Sequence, residues 1–277
     1  MLKLIVTSKD DAASTNIATR LVENYPFIEM PEQYGGHSVF CWRLQDEEIR
    51  LLTVNGELAY LQDIANMPDV ELIIFVSRHE SRDNKPIFSV HVPGNFSTAE
   101  FGGLSRKVSV APANTMRAAL KEITAQRTLL ELEEYTVYYE GTHHGPSINT
   151  PTVFVEIGST PTEWNDPLAG QVVAHATITA IKNTLQVEGA VGIGGSHRNR
   201  RLTSISQDSE IAFGHIIPSY AFKWLTPELI NQCVERTLEK NPILVLDWKG
   251  IDRKDRGRLQ EVLDDVPYDV HRVSEYR

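Results

Sequence analysis

The sequence contains little cysteine and no long apolar run. Its 277 residues include two cysteines, Cys41 and Cys233, in dissimilar surroundings. Two such cysteines form neither a disulfide framework nor a CxxC metal site, so we expect a reducing, cytoplasmic setting. No apolar stretch approaches the ~18 residues of a membrane-spanning helix, and the N-terminus turns polar too early for a signal peptide. We therefore expect no membrane partner, and any metal site has to use histidine and carboxylate ligands.

The sequence also lacks an excess of positive charge. It carries 27 Lys and Arg against 37 Asp and Glu, a formal net charge of −10. A broad nonspecific nucleic-acid binder takes its affinity from many phosphate contacts, so this balance argues against that class. One local basic strip is still compatible with this negative net charge, and the strongest candidate consists of Arg198, Arg200 and Arg201. A solvated surface is the ordinary explanation of such a strip.

Several familiar catalytic motifs are missing. The sequence has no Walker A motif, no H-E-x-x-H and no G-x-S-x-G elbow, which argues against the enzymes that use them. The run Gly192-Ile193-Gly194-Gly195 fails the dinucleotide-binding spacing, because the position that requires the third glycine is His197. A tight turn that brings backbone amides toward an anionic group fits this run better.

What the sequence does have is a regular alternation of strand-like and helix-like stretches. This alternation predicts an α/β fold with a mixed, mostly parallel sheet and helices on both faces. We predict one domain over residues 1–277, with long active-site loops at 93–112 and 194–208. The predicted strands are 2–6, 38–42, 49–54, 71–76, 87–92, 135–139, 153–157, 190–193, 211–217, 243–248 and 268–273. The predicted helices are 12–22, 58–65, 113–132, 168–183, 227–238 and 254–263.

Histidines gather at the ends of the predicted strands. Ligands of open α/β sheets bind beyond the carboxyl ends of the strands. Histidines with purely structural roles would show no preference for one edge, so this pattern favours a shared site. We assign structural roles to the remaining three, His37, His175 and His271. Six of the nine histidines lie at or near strand ends: His79, His91, His143, His144, His197 and His215.

Two features mark the centre of this predicted site. Neighbouring side chains of an extended segment point in opposite directions, so one of His143 and His144 can face a pocket while the protein holds the other. Alone, the pair is equally compatible with a turn. Glu156 is an acid within an apolar strand, where a carboxylate is costly unless it is paired, coordinated or hydrogen-bonded to a neighbouring backbone.

At these residues the chain resembles the archaeal and plant type of D-aminoacyl-tRNA deacylase. The matching blocks run in family order across most of the chain, and they are specific only as a set. They are Ser77-Arg78-His79, His91-Val92-Pro93-Gly94-Asn95, Thr142-His143-His144-Gly145-Pro146, Phe154-Val155-Glu156-Ile157-Gly158-Ser159, Gly192-Ile193-Gly194-Gly195-Ser196-His197, Ala212-Phe213-Gly214-His215-Ile216-Ile217-Pro218 and Asp247-Trp248-Lys249-Gly250.

The resemblance implies a three-layer α/β/α fold of the phosphorylase/hydrolase-like type. It also implies zinc-dependent hydrolysis of the ester between a D-amino acid and tRNA, as part of translation quality control. The chain departs from the family pattern after the glycine run, where Ser196-His197-Arg198-Asn199 lacks the family's aromatic residue and proline. This departure adds positive charge and alters the loop that follows His197.

The resemblance and the residues together give a set of site expectations. We expect the catalytic groups among His79, His143, His144, Glu156, His197 and His215. Zinc is expected on His144, His197 and Glu156, oxyanion donors at Gly194 and Gly195, and contacts to the aminoacyl-tRNA 3′ end from Arg78, Arg198, Arg200 and Arg201. We expect a monomer or small homo-oligomer.

Two other classes of function remain open at this point. One is a nucleoside phosphorylase or metal-dependent peptidase that uses the same histidines on the same scaffold. The other is a non-catalytic protein that binds tRNA or nucleotides through the arginine strip, with structural histidines. The histidine cluster argues against the second class, because RNA binding does not need six imidazoles.

Overall fold

A computed structural model describes residues 1–276, apart from the side chain of Ala65. Twelve strands alternate with seven α-helices. The strands are β1 Leu2–Ser8, β2 Ile28–Tyr34, β3 His37–Leu44, β4 Glu47–Val54, β5 Val70–Glu80, β6 Ile87–His91, β7 Thr136–Tyr139, β8 Thr152–Ser159, β9 Glu188–Ile193, β10 Ile211–Ile217, β11 Ile243–Leu246 and β12 Val270–Arg272. The helices are α1 Ala12–Asn24, α2 Ala113–Leu129, α3 Pro161–Trp164, α4 Pro167–Ile181, α5 Arg200–Asp208, α6 Pro227–Glu235 and α7 Arg256–Asp264. Short 3₁₀ segments are Leu58–Tyr60, Gln62–Asn66, Ser219–Trp224, Trp248–Gly250 and Val273–Tyr276.

The larger sheet has eight strands in the order β2-β3-β4-β1-β5-β8-β6-β7. Its centre is parallel, because β1 pairs in parallel with both β4 and β5, and β5 pairs in parallel with β8. Strand β6 runs antiparallel to β8 and carries β7 as its parallel neighbour. The structure thus confirms the predicted α/β class with a mixed, mostly parallel sheet.

The smaller sheet has four strands in the order β10-β9-β11-β12, all of them parallel. One of its faces shares a hydrophobic core with α2, α4 and the larger sheet, through residues such as Phe213 and Val245. Its other face packs against α6 and α7, through residues such as Ile230 and Leu259. Strands β9, β10 and β11 are mostly apolar and buried because helices cover both faces, whereas the edge strand β12 is largely exposed.

The larger sheet is covered differently on its two faces. Helices α1, α2 and α4 pack on one face. The opposite face, which includes Phe75 and Phe154, is covered by the 3₁₀ segments at residues 58–66 and by Ile148. Local sequence explains where the covering helices begin: Asp11 accepts a hydrogen bond from the Ser14 amide at the start of α1, and Asp166 precedes Pro167 at the start of α4.

Four segments differ from the predictions. The predicted helix 58–65 is two short 3₁₀ segments, and the short helix α3 at Pro161–Trp164 was not predicted. Residues 194–208 were expected to form a loop, but 200–208 form helix α5, with Asn199 accepting a hydrogen bond from the Leu202 amide as N-cap. The basic start of this segment hid a helix whose apolar side, Leu202 and Ile205, is buried. Strand β2 was also missed, because it is exposed on both faces and therefore shows no apolar alternation.

The segment 93–112 is irregular, as predicted, with isolated bridges in place of a strand. Among residues 1–276, no helix combines the length and the apolar character that crossing a membrane requires.

Candidate active site

A cavity of about 910 Å³ opens beside β5 and β8. Five of the six predicted catalytic side chains line it: His79, His143, His144, Glu156 and His197. Arg78 and Arg198 also lie on its wall. The predicted gathering of these residues at one place is therefore correct, although their catalytic roles stay predictions.

Glu156 lies in the middle of β8, between β5 and β6. In the sheet register it faces Ser77 on one side and Ser89 on the other. Both hydroxyls donate to its carboxylate, Ser77 to Oε1 at 2.8 Å and Ser89 to Oε2 at 3.1 Å. The cost of this buried acid is thus offset by side-chain partners, with His79 Nδ1 at 3.4 Å from Oε2.

Glu140 is a second buried acid, and the sequence did not single it out. It follows β7 directly, is 1% exposed, and lies with Oε2 3.3 Å from His79 Nδ1. Within residues 1–276, neither of its oxygens has a hydrogen-bond partner. Its position could have identified it from the sequence, because it lies at the end of an apolar strand and three residues before His143.

His143 and His144 adopt the same tautomer. The Nδ1 of His143 donates to the Gly141 carbonyl at 2.8 Å, and the Nδ1 of His144 donates to the Gly145 carbonyl at 2.6 Å. A carbonyl only accepts, so in both rings the proton is on Nδ1 and Nε2 has the free lone pair. His144 also has a φ of +43°, a strained conformation for a residue other than glycine.

His91 belongs to this cluster as well, although the sequence gave it no role beyond its strand-end position. Its ring is fully buried and stacks on Phe154, with centroids 5.2 Å apart. The ring centroids of His143 and His144 lie 4.2 and 4.8 Å from it. Its Nε2 lies 3.7 Å from Glu156 and, among the described residues, has no hydrogen-bond partner.

His197 comes from the smaller sheet and reaches the site through a backbone link. The segment after β7 pairs with the loop after β9: the Gly141 amide donates to the His197 carbonyl at 2.8 Å, and the Asn199 amide donates to the Tyr139 carbonyl at 2.9 Å. This link places the His197 ring 4.5 Å from the His143 ring, measured between centroids. Its Nε2 lies 3.8 Å from Glu140 Oε2.

The electrostatics divide the cluster into a charged part and a neutral part. Burial opposes protonation of His79, but Glu140 and Glu156 outweigh it and raise its pKa to about 10. Although burial disfavours their charged forms, His79 holds the pKa of both carboxyls below their ordinary value. Burial lowers the pKa of His144 to about 4, and burial and neighbouring imidazoles lower the pKa of His143 as well. Near neutral pH these two imidazoles are therefore neutral.

Within the described residues 1–276, three groups of side chains lie close enough to hold a metal ion. The three residues predicted as zinc ligands, His144, His197 and Glu156, fall in three different groups, so the structure does not bring them together as one ligand set. Seven residues make up the groups, and we call them the histidine–carboxylate cluster. The groups are His91 with His143 and His144, Glu140 with His143 and His197, and His79 with Glu140 and Glu156.

Three other predictions are corrected by the structure. His215 does not line the cavity; it is fully buried behind Thr142, whose Oγ1 lies 3.3 Å from its Nδ1. The amides of Gly194 and Gly195 are not free oxyanion donors, because they donate to the carbonyls of Ile217 at 2.9 Å and Gly250 at 3.3 Å. Both glycines serve a turn with positive φ instead.

The arginine strip is split by helix α5. Arg198 lines the cavity and pairs with Asp83 at 2.6 Å. Arg200 and Arg201 do not line it: Arg200 lies over the Tyr138 ring at 5.9 Å, and Arg201 pairs with Asp247. Successive positions of a helix face different directions, so three nearby arginines do not form one surface.

The expectation that the strand ends meet at a single edge is also only partly correct. His79 lies beside Gly158 of β8, whereas His91 lies beside Phe154. The difference arises because β6 runs antiparallel to β8, so its carboxyl end points the other way. The cluster therefore spans the middle of β8 rather than one edge of the sheet.

Comparison with known proteins identifies the family to which the chain belongs. The family model described as D-aminoacyl-tRNA deacylase matches residues 66–271. The chain is 34% identical to the D-aminoacyl-tRNA deacylase of Thermococcus kodakarensis, over 96% of this chain and 97% of that protein. It is 33% identical to that of Methanosarcina acetivorans, over 99% of this chain and 93% of that protein.

A solved structure is similar over the whole length. It is the crystal structure of a conserved protein of unknown function, with a TM-score of 0.87 and 31% identity, covering 99% of this chain and 96% of that one. The family match over most of the chain and the full-length relatives lead to one conclusion: this protein belongs to the D-aminoacyl-tRNA deacylase family.

Proposed function

We propose that the protein hydrolyses the ester bond of D-aminoacyl-tRNA, releasing a free D-amino acid and tRNA. Family membership supports the substrate class. The observation that carries the proposal is the convergence of five members of the histidine–carboxylate cluster on a cavity of about 910 Å³, with the other two members buried beside them. Ester hydrolysis needs a group that accepts a proton from water and a group that protonates the leaving ribose oxygen. A cavity of this volume has room for an amino acid and its attached nucleoside.

His143 and His144 are the proton-accepting groups of this proposal. Each ring has its proton on Nδ1, fixed by a backbone carbonyl, so each can take a proton or bind a cation only at Nε2. Their lowered pKa values keep both rings neutral near pH 7 and leave these lone pairs available. The two rings therefore differ in their position in the site and not in their tautomer.

We further propose that the cluster holds zinc. Its donors are imidazole nitrogens and carboxylate oxygens, a set suited to zinc. The buried oxygens of Glu140 and Nε2 of His91 fit a cation, because no group among residues 1–276 satisfies them by hydrogen bonding. His91, His143 and His144, or Glu140, His143 and His197, would hold it. When bound, such an ion polarises a carbonyl and acidifies water.

The arginines on the cavity wall are the proposed contacts to the tRNA 3′ end. Arg78 lies over the Trp164 ring at 5.6 Å and 3.8 Å from Glu57, and Arg198 pairs with Asp83. These pairings hold the two guanidinium groups in fixed places at the wall, where phosphate contacts would orient the substrate. Because aminoacyl-tRNA is the partner, we propose the cytoplasm as the setting.

Hydrolysis of matched D- and L-aminoacyl-tRNA tests the proposed function. We expect the wild-type protein to release the D-amino acid and His144→Ala to lose this activity. Because alanine is strained at a φ of +43°, His144→Gly should accompany it as a variant that accepts this conformation. His37→Ala is the matched control, since His37 lies outside the cavity. Full activity in a folded His144→Gly variant would overturn the assignment, and turnover of nucleosides that depends on phosphate would favour a phosphorylase.

Metal removal tests the zinc proposal with a second readout. Thorough chelation should abolish hydrolysis, and zinc should restore it. Since an ion that binds only the folded state stabilises it, zinc should also raise the Tm of the chelated protein. An unchanged rate and an unchanged Tm after complete chelation would show that the histidines act without a metal.

A further inference from the structure

The exposed aromatic side chains of this protein gather at one place. Within residues 1–276, three aromatic residues are exposed: Tyr60 at 54%, Phe101 at 65% and Tyr220 at 48%. All three line the candidate active-site cavity. Exposed apolar side chains scattered singly over a surface are normal, whereas a group around one cavity marks a binding site.

The fold places Tyr220 beside the histidine–carboxylate cluster. Its hydroxyl lies 3.4 Å from His197 Nδ1, and the two ring centroids are 6.0 Å apart. The 3₁₀ segment that carries it is fixed at its first residue, because the Ser219 amide donates to the Gly195 carbonyl at 3.0 Å and its hydroxyl donates to the Gly250 carbonyl at 2.8 Å. Tyr220 is therefore a positioned, exposed ring.

Phe101 is fixed at the other side of the double histidine. Its carbonyl accepts a hydrogen bond from the Gly145 amide at 2.9 Å, next to His144. Tyr60 is close to the same segment, since its hydroxyl donates to the Glu100 carbonyl at 3.4 Å. With His143 between His144 and His197, exposed rings flank the cluster on both sides.

The charged side chains at the cavity wall do not by themselves form a strong binding site for an anionic ligand. Three arginines line the cavity, Arg78, Arg82 and Arg198; of these, Arg198 is paired with Asp83 and Arg78 approaches Glu57, so two of the three have acidic neighbours. Glu80 and Glu100 line the same cavity and add negative charge. A ligand with a flat, uncharged face suits these surroundings better than one recognised through phosphate alone.

We propose that Tyr220 and Phe101 bind the unpaired terminal nucleobase of the tRNA acceptor end by stacking. This inference rests on the proposed function, and it names the part of the substrate that the rings recognise. Single-stranded ends are bound by stacking of bases on aromatic side chains, which accounts for the exposure of the rings at the cavity. The bound base holds the terminal ribose, and hence its ester, beside His197 and His143.

Binding of adenosine 5′-monophosphate and of ribose 5-phosphate, measured by calorimetry on the full chain, tests the proposal. The first probe carries a base and the second does not. We expect the wild type to bind the first more tightly, and Tyr220→Leu and Phe101→Leu to weaken it by about 5- to 100-fold. Tyr220→Phe keeps the ring and should stay within about twofold of the wild type. Leu129→Ala, which removes an exposed apolar side chain outside the cavity, is the matched control.

The outcomes separate this inference from the proposed function. Equal binding of both probes, or a loss in Tyr220→Phe as large as in Tyr220→Leu, would overturn stacking. A second measurement compares hydrolysis of a D-aminoacyl ester of adenosine with that of base-free ribose. If neither ester is cleaved but the first probe binds through Tyr220, ester hydrolysis fails and the base site stands. If both are cleaved at equal rates, hydrolysis stands and the base site fails.

Discussion

At the scale of single residues, the two buried acids of the candidate site differ in whether their oxygens have hydrogen-bond partners. Serine hydroxyls satisfy Glu156. Glu140, by contrast, is equally buried, and no hydrogen bond within the described chain reaches its oxygens. Its charge is balanced by the neighbouring His79 imidazolium at 3.3 Å, and its oxygens keep lone pairs that a bound cation can use. Of the two acids, Glu140 is therefore the better indicator of a metal site.

Replacing Glu140 by glutamine tests this argument. Glu140→Gln keeps the shape of the side chain and removes its charge, so we expect bound zinc to fall and hydrolysis to slow by about 10²-fold or more. Glu100→Gln is the matched control, because Glu100 lines the same cavity but is exposed and belongs to none of the three metal groups. Metal analysis and single-turnover rates provide the measurement. Unchanged zinc content in a folded Glu140→Gln protein would exclude Glu140 as a ligand.

At the scale of elements, α5 and the glycine turn before it form one unit. Asn199 accepts from the Leu202 amide at 3.2 Å as N-cap, and its Nδ2 donates to the Gly194 carbonyl at 2.8 Å. The side chain is 2% exposed, so water does not replace these bonds when it is removed. Asn199 therefore links the start of α5, which follows His197, to the glycine turn, which precedes His197.

Asn199→Ala should therefore destabilise the protein by about 2 kcal/mol, from the lost cap and the buried carbonyl that loses its donor. Urea unfolding measures this change. Asn199→Ser keeps a capping acceptor and loses the donor to the Gly194 carbonyl without adding charge, so an intermediate effect is expected. Ser204→Ala, on the exposed side of α5, is the control and should change stability by less than about 0.5 kcal/mol. Equal effects of Asn199→Ala and Ser204→Ala would contradict the proposed link.

At the scale of the whole molecule, the site exists because two sheets are joined across residues 139–142. The Thr142 amide donates to the Ile216 carbonyl at 2.8 Å, and the Ile216 amide donates to Thr142 Oγ1 at 3.2 Å. His215 lies at this junction, fully buried. It thus supports the double histidine from behind without lining the cavity.

This location of His215 makes the stability of the fold sensitive to acid. Burial lowers its pKa from 6.5 to about 3, so the unfolded chain binds a proton that the folded chain excludes. The free energy of unfolding is not reduced by this group above about pH 6.5, and it falls as the pH drops from there toward 3. At pH 5 the loss should be about 2 kcal/mol.

His215→Asn tests this pH dependence, because asparagine can keep the contact with Thr142 and does not titrate. The free energy of unfolding is measured in urea at pH 7 and pH 5. Its decrease between these pH values should be about 2 kcal/mol smaller in the variant than in the wild type. The other buried histidines titrate alike in both proteins and cancel in the comparison. An equal pH dependence in the two proteins would show that His215 is already protonated in the fold.

The sequence alone determined the order of most elements and the residue types of the site. Apolar runs such as 71–76 and amphipathic spacing such as 113–132 are local patterns, and the structure has β5 there and α2, which ends at Leu129. The histidine-rich blocks likewise identified five side chains that line the cavity. Local patterns failed at α5 and β2, where charge or exposure hid the apolar periodicity.

Tertiary structure decided which of these residues meet. Strand direction and sheet order depend on contacts far apart in sequence, so the antiparallel course of β6, which places His91 beside Phe154, could not be deduced locally. The same holds for the pairing of residues 139–141 with 197–199, which brings His197 to Glu140 and uses Gly194 and Gly195 as a turn. The sequence by itself determined that histidines and acids would form a site. The packing of two sheets against each other decided that Glu140 and His91 belong to this site and that His215 lies behind it. The reason is that only packing fixes burial and distance.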